Sequence, residues 1–575
     1  MKKLLKYLRP YKKEVVISPL FKLLEAVFDL LVPLVVAQII DVGIANDDRP
    51  YVLTMCGVLC GFAAVGLLCA VIAQYFAARA AVGFSTGVRR DLFAHIQKLS
   101  YAETDRVGTA TLITRMTADV NQLQSGVNMT LRLLLRSPII VFGAMVMAFT
   151  VHAGSALVFV IILPLLAAVV FSIMWGTIPL FRRVQQNLDR VTSRTRENLT
   201  GARVVRAFGM ESDEIARFEE ANDAHNRIQN FVGRISALMN PLTFILVNLG
   251  VILLLESGAH FVEIGDMTQG EVVAMTNYMA QILVELVKFA NTIFLVNKAL
   301  ASGRRVQSVF DMPAGMEISE GEADESDTNA VTFRSVGLTY AGAGEASLVG
   351  LDFSVPRGST FGIIGSTGSG KSSVVGLIPR FYDVTEGSVL VGGRDVRAWD
   401  PEALRSRIAV VPQKAVLFRG TVRSNLLWGN ENATDDELWA ALEAAQAKEF
   451  VEQKEGGLDA PVSQGGKNFS GGQRQRLTIA RALVRKAEIL ILDDSSSALD
   501  YATDAALREA ISHLEEKPTV FVISQRTASI RHADRILVLE DGHPVGLDTH
   551  ENLLTSCEVY REIYDSQFKK EGDAV

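Results

Sequence analysis

Apolar residues along this chain collect into long runs in its first half and into short, evenly interrupted ones in its second. Crossing about 30 Å of hydrocarbon takes roughly 20 helical residues. Six segments meet that length: 15–45, 52–80, 126–151, 155–180, 236–262 and 270–298. Between the second and third, and again between the fourth and fifth, a helical period persists after the apolar density falls. Leu92, Ile96 and Leu99 share one face, as do Val184, Leu188 and Val191. Helices of that length would leave the membrane and run on for tens of Å. Their tips would be 103–114 and 201–208, where apolar side chains such as Val107, Ile113, Val205 and Phe208 suit docking better than a solvated loop.

Past an acidic stretch at 317–327, nearly free of apolar residues, the period changes. Short β-branched runs at 331–333, 360–364, 408–411, 489–492 and 519–523 alternate with helical segments, the pattern of an α/β layer. The expected organisation is therefore multi-domain. A six-helix α transmembrane domain covers 1–312, a linker covers 313–329, and an α/β domain, which a glycine loop at 365–373 marks as a P-loop nucleotide-binding one, covers 330–575.

Charge adds an orientation. The short loops after the first, third and fifth segments carry Asp47, Asp48, Arg49, His152, Glu263 and Asp266, whereas the long ones carry Arg79, Arg89, Arg90, Lys98, Arg106 and Arg115, then Arg182 through Arg234. By the positive-inside rule the long loops, both termini and the second half lie in the cytoplasm, with the chain multi-pass in the plasma membrane. The hydrophobic fraction is 49% and the net charge −7, so no nucleic-acid partner is expected. The basic N-terminus has no small-residue cleavage site before the next apolar run, and no removable signal peptide is expected. Cys56, Cys60, Cys69 and Cys557 form no metal or disulfide pattern and read as buried apolar cysteines.

Several charges fall inside the spans: Lys22, Glu25 and Asp29 on the first, Arg132 and Arg136 on the third, and Glu256, Glu285 and Lys288 on the last two. The first and third helices both run outward, so their charges can meet at similar depth. Unpaired, they are costly in lipid. They read either as structural ion pairs or as a gate or substrate contact.

The chemistry is concentrated in Gly365-Ser-Thr-Gly-Ser-Gly-Lys-Ser-Ser373, between a strand and a helix. Glycines at 365, 368 and 370 let backbone N–H groups turn toward a polyphosphate, and the helix start adds partial positive charge. Ser366, Thr367, Ser369 and Ser373 complete the loop; Lys371 can reach β- and γ-phosphates, and the Ser372 hydroxyl suits Mg²⁺. Tyr340 can stack on a base, and Gln413 offers an amide oxygen to Mg²⁺ or water. Ser470-Gly-Gly-Gln473 opens a helix able to hold a second phosphate, so Gly471 and Gly472 join the candidates. Asp493 ends an apolar strand, the arrangement that orients Mg²⁺ and its water, and Ser497-Ala-Leu-Asp500 follows.

This order of motifs, with six spans ahead of it, resembles the ABC transporter superfamily, and in particular exporter-type half-transporters. The resemblance covers nearly the whole chain. It implies ATP and Mg²⁺ as ligands, with Tyr340 as the A-loop, 365–373 as Walker A and Gln413 as the Q-loop. Residues 469–473 become the signature, Asp493 the Walker B carboxylate and Ser497 to Asp500 the D-loop. The tips at 103–114 and 201–208 become coupling helices, the second docking on a partner. Each ATP would lie between Walker A and B of one chain and the signature of the other, so Ser470, Gly471, Gly472 and Gln473 would serve the partner's site.

Two positions depart from the family pattern. The general base after Asp493 should be Glu but is Asp494, and the switch residue should be His but is Gln525. Asp is one methylene shorter, drawing the carboxylate back by about 1.5 Å; a misplacement near 1 Å can cost on the order of 100-fold in rate. Gln cannot act as a titrating imidazole. The chain thus resembles the degenerate-site subunit of bacterial heterodimeric multidrug-type exporters. The resemblance implies a second half-transporter as partner, membrane lipid around it and an amphipathic or apolar small molecule as cargo. A catalytically quiet regulatory subunit and an exporter-fold importer, of siderophores for instance, stay open.

Overall fold

A computed structural model describes residues 3–313, 315–316, 318–319 and 328–568. Most of the acidic linker expected at 313–329 lies outside these residues. Two compact units result: one is Met1–Gln97 with Ala110–Met312, the other Lys98–Thr109 with Pro313–Val575.

The first unit is helical. Its six long helices are Leu4–Ile44, Arg49–Ile96, Thr109–Val151, Ala153–Thr200, Glu211–Glu263 and Gln269–Phe310. Each contains one of the expected spans, and the second and fourth, at 48 residues, are about 70 Å long. The helical face expected through Leu99 is interrupted. The second helix stops at Ile96, and Ser100 caps a new short helix, Tyr101–Val107, its hydroxyl accepting from the Glu103 N–H at 3.2 Å. A second short helix, Ala202–Ala207, follows the fourth long one.

Lipid tails give no hydrophobic drive for helices to associate, so close approach and polar bonds do the work. Small residues accordingly take many of the buried positions: Ala73, Ala77, Ala80 and Ala81 on the second helix, Ala144 and Ala148 on the third. Ser18 donates to the Ala73 carbonyl at 2.9 Å. At Gly270 a Cβ would stand 2.4 Å from the Ala37 carbonyl oxygen, so only glycine lets the sixth helix start against the first. That start is doubly capped, by a Thr268–Glu271 box and by Asp41, which accepts from Gly270 N–H and Thr268 Oγ1, both at 2.7 Å. Cys69 and Cys557 are buried as expected, but Cys56 and Cys60 are exposed on the second helix, whose outward face is itself apolar. Such a face is apolar because its solvent is lipid, not because it is covered.

The charges inside the spans meet. Arg136 donates from Nη2 to Asp29 at 2.8 Å and from Nη1 to Glu285 at 2.7 Å, with Glu25 at 3.7 Å from its Nε. Lys22 pairs with Glu25 at 2.5 Å, Lys288 with Glu285 at 2.9 Å, and Ser137 donates to Glu285 at 2.9 Å. Three bases thus balance three acids drawn from the first, third and sixth helices. Arg132 and Glu256 make no ion pair among the described residues.

In the second unit a four-stranded antiparallel sheet has the order β2-β1-β4-β5, from β1 (Asn329–Leu338), β2 (Leu348–Pro356), β4 (Glu386–Val391) and β5 (Arg394–Asp395). A six-stranded sheet has the order β12-β11-β3-β10-β9-β6. It comprises β3 (Thr360–Gly365), β6 (Ile408–Val411), β9 (Ile489–Asp493), β10 (Thr519–Ile523), β11 (Arg535–Glu540) and β12 (His543–Asp548). All its pairings are parallel except β11 with β12. A small ribbon joins β7 (Gly420–Thr421) to β8 (Pro461–Val462). Each β-branched run seen in the sequence falls in β1, β3, β6, β9 or β10. The last four are buried nearly throughout, as parallel strands covered on both faces must be. Residues 98–109 pack with this unit: Tyr101 lies 4.5 Å from the Phe381 ring, and Tyr382 donates to Asp105 at 2.6 Å.

Removing Arg136 would leave Glu25, Asp29 and Glu285 facing one another with too little positive charge. Arg136→Ala is expected to destabilise the helical unit by about 3–5 kcal/mol, seen as a lower thermal unfolding midpoint of the detergent-purified protein. Adding Glu285→Ala should recover part of the loss. An unchanged midpoint in Arg136→Ala would show that this network does not hold the helices.

Candidate nucleotide site

The parallel run β3-β10-β9-β6 puts the carboxyl ends of four strands side by side, where open α/β sheets bind ligands. The 365–373 loop leaves β3, Gln525 follows β10, Asp493 and Asp494 end and follow β9, and Gln413 follows β6. Residues far apart in sequence are thereby drawn to one edge.

The loop's shape demands its glycines. Gly368 and Gly370 have φ of +89° and +92°, in the left-handed region. A Cβ at Gly370 would also stand 2.7 Å from the Leu348 side chain and 2.9 Å from the Ser347 carbonyl. Lys371 opens the helix Lys371–Leu377 and is buried. Its ammonium donates to the Gly365 carbonyl at 2.9 Å, the Ser366 carbonyl at 2.6 Å and Ser369 Oγ at 3.4 Å. Burial pushes its pKa down, opposed by the Asp494 and Asp493 charges. Ser366, Thr367 and Gly368 are exposed at the loop's tip.

Ser372 Oγ donates to Asp493 Oδ1 at 2.9 Å, so two oxygen donors lie together. Burial pushes the Asp493 carboxyl up, and the adjacent Asp494 adds to this, while the Ser372 bond and Lys371 pull it back. A hydroxyl and a carboxylate in contact beside a lysine and a glycine loop fit a magnesium–polyphosphate. The half-buried Tyr340 donates to Ser373 Oγ at 2.8 Å, and its ring meets Tyr382 edge-on at 5.0 Å. An aromatic pair thus flanks the loop.

Asp494 has φ of +46°, which an aspartate tolerates better than most residues. Its N–H donates to the Ile523 carbonyl at 3.0 Å, and its carbonyl accepts from Ser497 Oγ at 2.8 Å. Its carboxylate accepts from Gln413 Nε2 at 3.2 Å. Gln525 is exposed, and its side chain makes no hydrogen bond among the described residues.

Ser470 caps the helix Gly471–Val484 in a reciprocal box with Gln473: Gln473 N–H donates to Ser470 Oγ at 3.2 Å and Ser470 N–H to Gln473 Oε1 at 3.0 Å. Gly471 is exposed, and Gly472 approaches the Ala498 carbonyl, where a Cβ would stand at 3.0 Å. Among the described residues no hydrogen bond joins 470–473 to 365–373. Asp500 caps the helix Tyr501–Ser512, and the Thr503 backbone and hydroxyl hold its carboxyl below the usual range.

Four contributors went unseen in the sequence. Tyr382 and Asp105 are 277 positions apart, and no local signal pairs them. Arg526 donates to the Leu499 carbonyl at 3.1 Å and lies 5.0 Å from the Tyr501 ring, tying the Gln525 loop to the Asp500 segment. Gln567, in the C-terminal helix, donates to the Gln525 carbonyl at 2.8 Å. Position beside Gln525 was the one available hint, and it applied only to Arg526.

Residues 15–286 match the ABC transporter transmembrane region family, and residues 348–497 match the ABC transporter family. An uncharacterized ABC transporter ATP-binding protein of Mycobacterium tuberculosis is 37% identical over 98% of this chain and 97% of its own length. The ATP-dependent lipid A-core flippase of Chromohalobacter salexigens is 32% identical over 99% of this chain and 98% of its own. A solved structure of a bacterial Atm1-family ABC exporter with ATP bound superposes with a TM-score of 0.81 at 24% identity, covering 98% of this chain and 99% of that one. The chain belongs to the ABC transporter superfamily, as a half-transporter of exporter-type fold with six membrane helices followed by one ABC ATPase domain.

Proposed function

We propose that this half-transporter pairs with a different half-transporter to form an ATP-driven exporter of amphipathic or apolar compounds, in which its own nucleotide site binds ATP but hydrolyses it slowly. The termini, the ATPase unit and the two short connecting helices lie in the plasma-membrane protein's cytoplasmic part, as the basic loops favour. A relative named for flipping lipid A-core favours an amphipathic cargo, although fold alone does not fix cargo.

The observation that carries the slow-site reading is the state of Asp494. Its backbone is held on both sides, and its short side chain is turned onto Gln413. A glutamate on the same backbone would extend about 1.5 Å further toward a water. Gln525 can donate a neutral hydrogen bond and no more. Binding has no such deficit: Lys371, Ser372, Asp493 and the glycine loop are all present. Ser372 and Asp493 would hold Mg²⁺, which would supply the charge that β- and γ-phosphate oxygens need, and Gln413 lies against the neighbouring Asp494. Tyr340 is suited to the base. Ser470 to Gln473, intact at a helix start with Ser470 and Gly471 exposed, are suited to a phosphate on the partner. The Ala498 carbonyl, between Ser497 and Asp500, faces Gly472.

Three measurements test this. Asp494→Glu with Gln525→His, in a complex whose partner lacks its own base, should raise single-turnover hydrolysis by about 100-fold; no gain would sink the slow-site reading, as would a brisk ATPase from a homodimer of this chain. Lys371→Ala should weaken ATP binding at this site about tenfold or more, since hydrogen bonds to charged groups contribute about 1.5–3 kcal/mol; equilibrium binding of labelled nucleotide reads this directly. Tyr382→Phe and Asp105→Ala should each lower transport per ATP hydrolysed, and the double variant should do no further harm, because both remove the same bond. Additive losses in a transport assay would show that the two residues act separately.

A further inference from the structure

Gln567 lies in the last turn of the C-terminal helix Glu558–Phe568, yet its amide is spent on the loop that carries Gln525. Its Oε1 accepts from the Thr527 backbone N–H and from Thr527 Oγ1, both at 2.9 Å, while its Nε2 donates to the Gln525 carbonyl at 2.8 Å. The first of these bonds answers a need. The short helix Thr527–Ile530 begins after Arg526, which gives it no side-chain cap, because a guanidinium carries donors and no acceptor; this one is turned to the Leu499 carbonyl and the Tyr501 ring. Thr527 is fully buried, so its N–H would be an orphan donor beyond the reach of water. A residue 40 positions downstream supplies the missing cap.

The supporting helix is itself well seated. Tyr560 is fully buried, its hydroxyl lies 2.6 Å from His550 Nδ1, and Tyr564 packs on the same imidazole at 5.5 Å. The Gln525 side chain is exposed and makes no hydrogen bond among the described residues, so its direction is set by its backbone. That backbone is gripped at its own carbonyl and two residues later, both times by Gln567.

We propose that Gln567 is a positioning residue for the switch position: through it the C-terminal helix clamps residues 525–527, and a shift of that helix by a fraction of a hydrogen-bond length releases them. Its link to hydrolysis rests on reading Gln525 as the switch residue; the clamp itself does not.

The test uses the assembled transporter with Gln567→Ala and with Gln567→Glu, which keeps the acceptor for Thr527 and loses the donor to Gln525. Without nucleotide, amide hydrogen exchange in peptides covering 524–531 should quicken about five- to tenfold in Gln567→Ala and less in Gln567→Glu. The strand β10 and the helix around Tyr560 should be unaffected. In the Asp494→Glu, Gln525→His background, Gln567→Ala should lower single-turnover hydrolysis about tenfold with nucleotide affinity within about twofold. Unchanged exchange, or exchange raised equally through β10 and the C-terminal helix, overturns the clamp. Faster exchange with an unaltered rate overturns the positioning role. A site that fails to gain hydrolysis from the two background substitutions counts against the slow-site reading alone, and the exchange arm still decides the clamp.

Discussion

The parallel register of β3, β10, β9 and β6 is the constraint from which the nucleotide site follows. Antiparallel neighbours would send alternate loops to opposite edges; a parallel ladder sends every loop to the same one. The glycine loop, Gln525, the Asp493–Asp494 pair and Gln413 therefore share an edge without any of them choosing it. Parallel strands need helical crossovers, and these cover the sheet and leave its strands buried on both faces. What remains open is the edge, and there the polar residues are bonded in pairs: Ser372 with Asp493, Gln413 with Asp494, Tyr340 with Ser373.

In the helical unit a different solvent sets different rules. Lipid neither drives helices together nor solvates charge, so association falls to small residues at close approach and to ion pairs that cancel. Arg136 satisfies both demands at once, bridging carboxylates on the first and sixth helices from a position on the third. Removing one partner of such a buried network is costly because it strands the opposite charges away from water. Of the two readings of these charges, the geometry favours the structural one for Lys22, Glu25, Asp29, Arg136, Glu285 and Lys288.

Within the second unit, side chains remote from the glycine loop tie that edge of the sheet to other segments of the same unit. Tyr382 joins the aromatic flank of the glycine loop to Asp105 in the segment between the second and third long helices. Arg526 joins the Gln525 loop to the Asp500 segment, and Gln567 joins it to the C-terminal helix. Each link is one to three hydrogen bonds, worth about 1 kcal/mol apiece. Links of that size can be broken and remade within a working cycle.

Much of this was legible in the chain itself. Six apolar runs longer than a bilayer is thick, five β-branched runs, and a glycine loop between strand and helix are local patterns, and local patterns report periodicity and backbone freedom directly. Asp494 and Gln525 were visible for the same reason, each standing at a fixed step from an apolar strand. Leu99 misled because an i, i+3 match cannot see that Ser100 caps a new helix. The Arg136 cluster was foreseeable in kind, since charges in lipid must pair, but its partners on the sixth helix were not. Tyr382 with Asp105, and Gln567 with Thr527, left no trace in the sequence. A hydrogen bond between residues far apart along the chain depends on where strands and helices finally pack, and only the tertiary structure decides that.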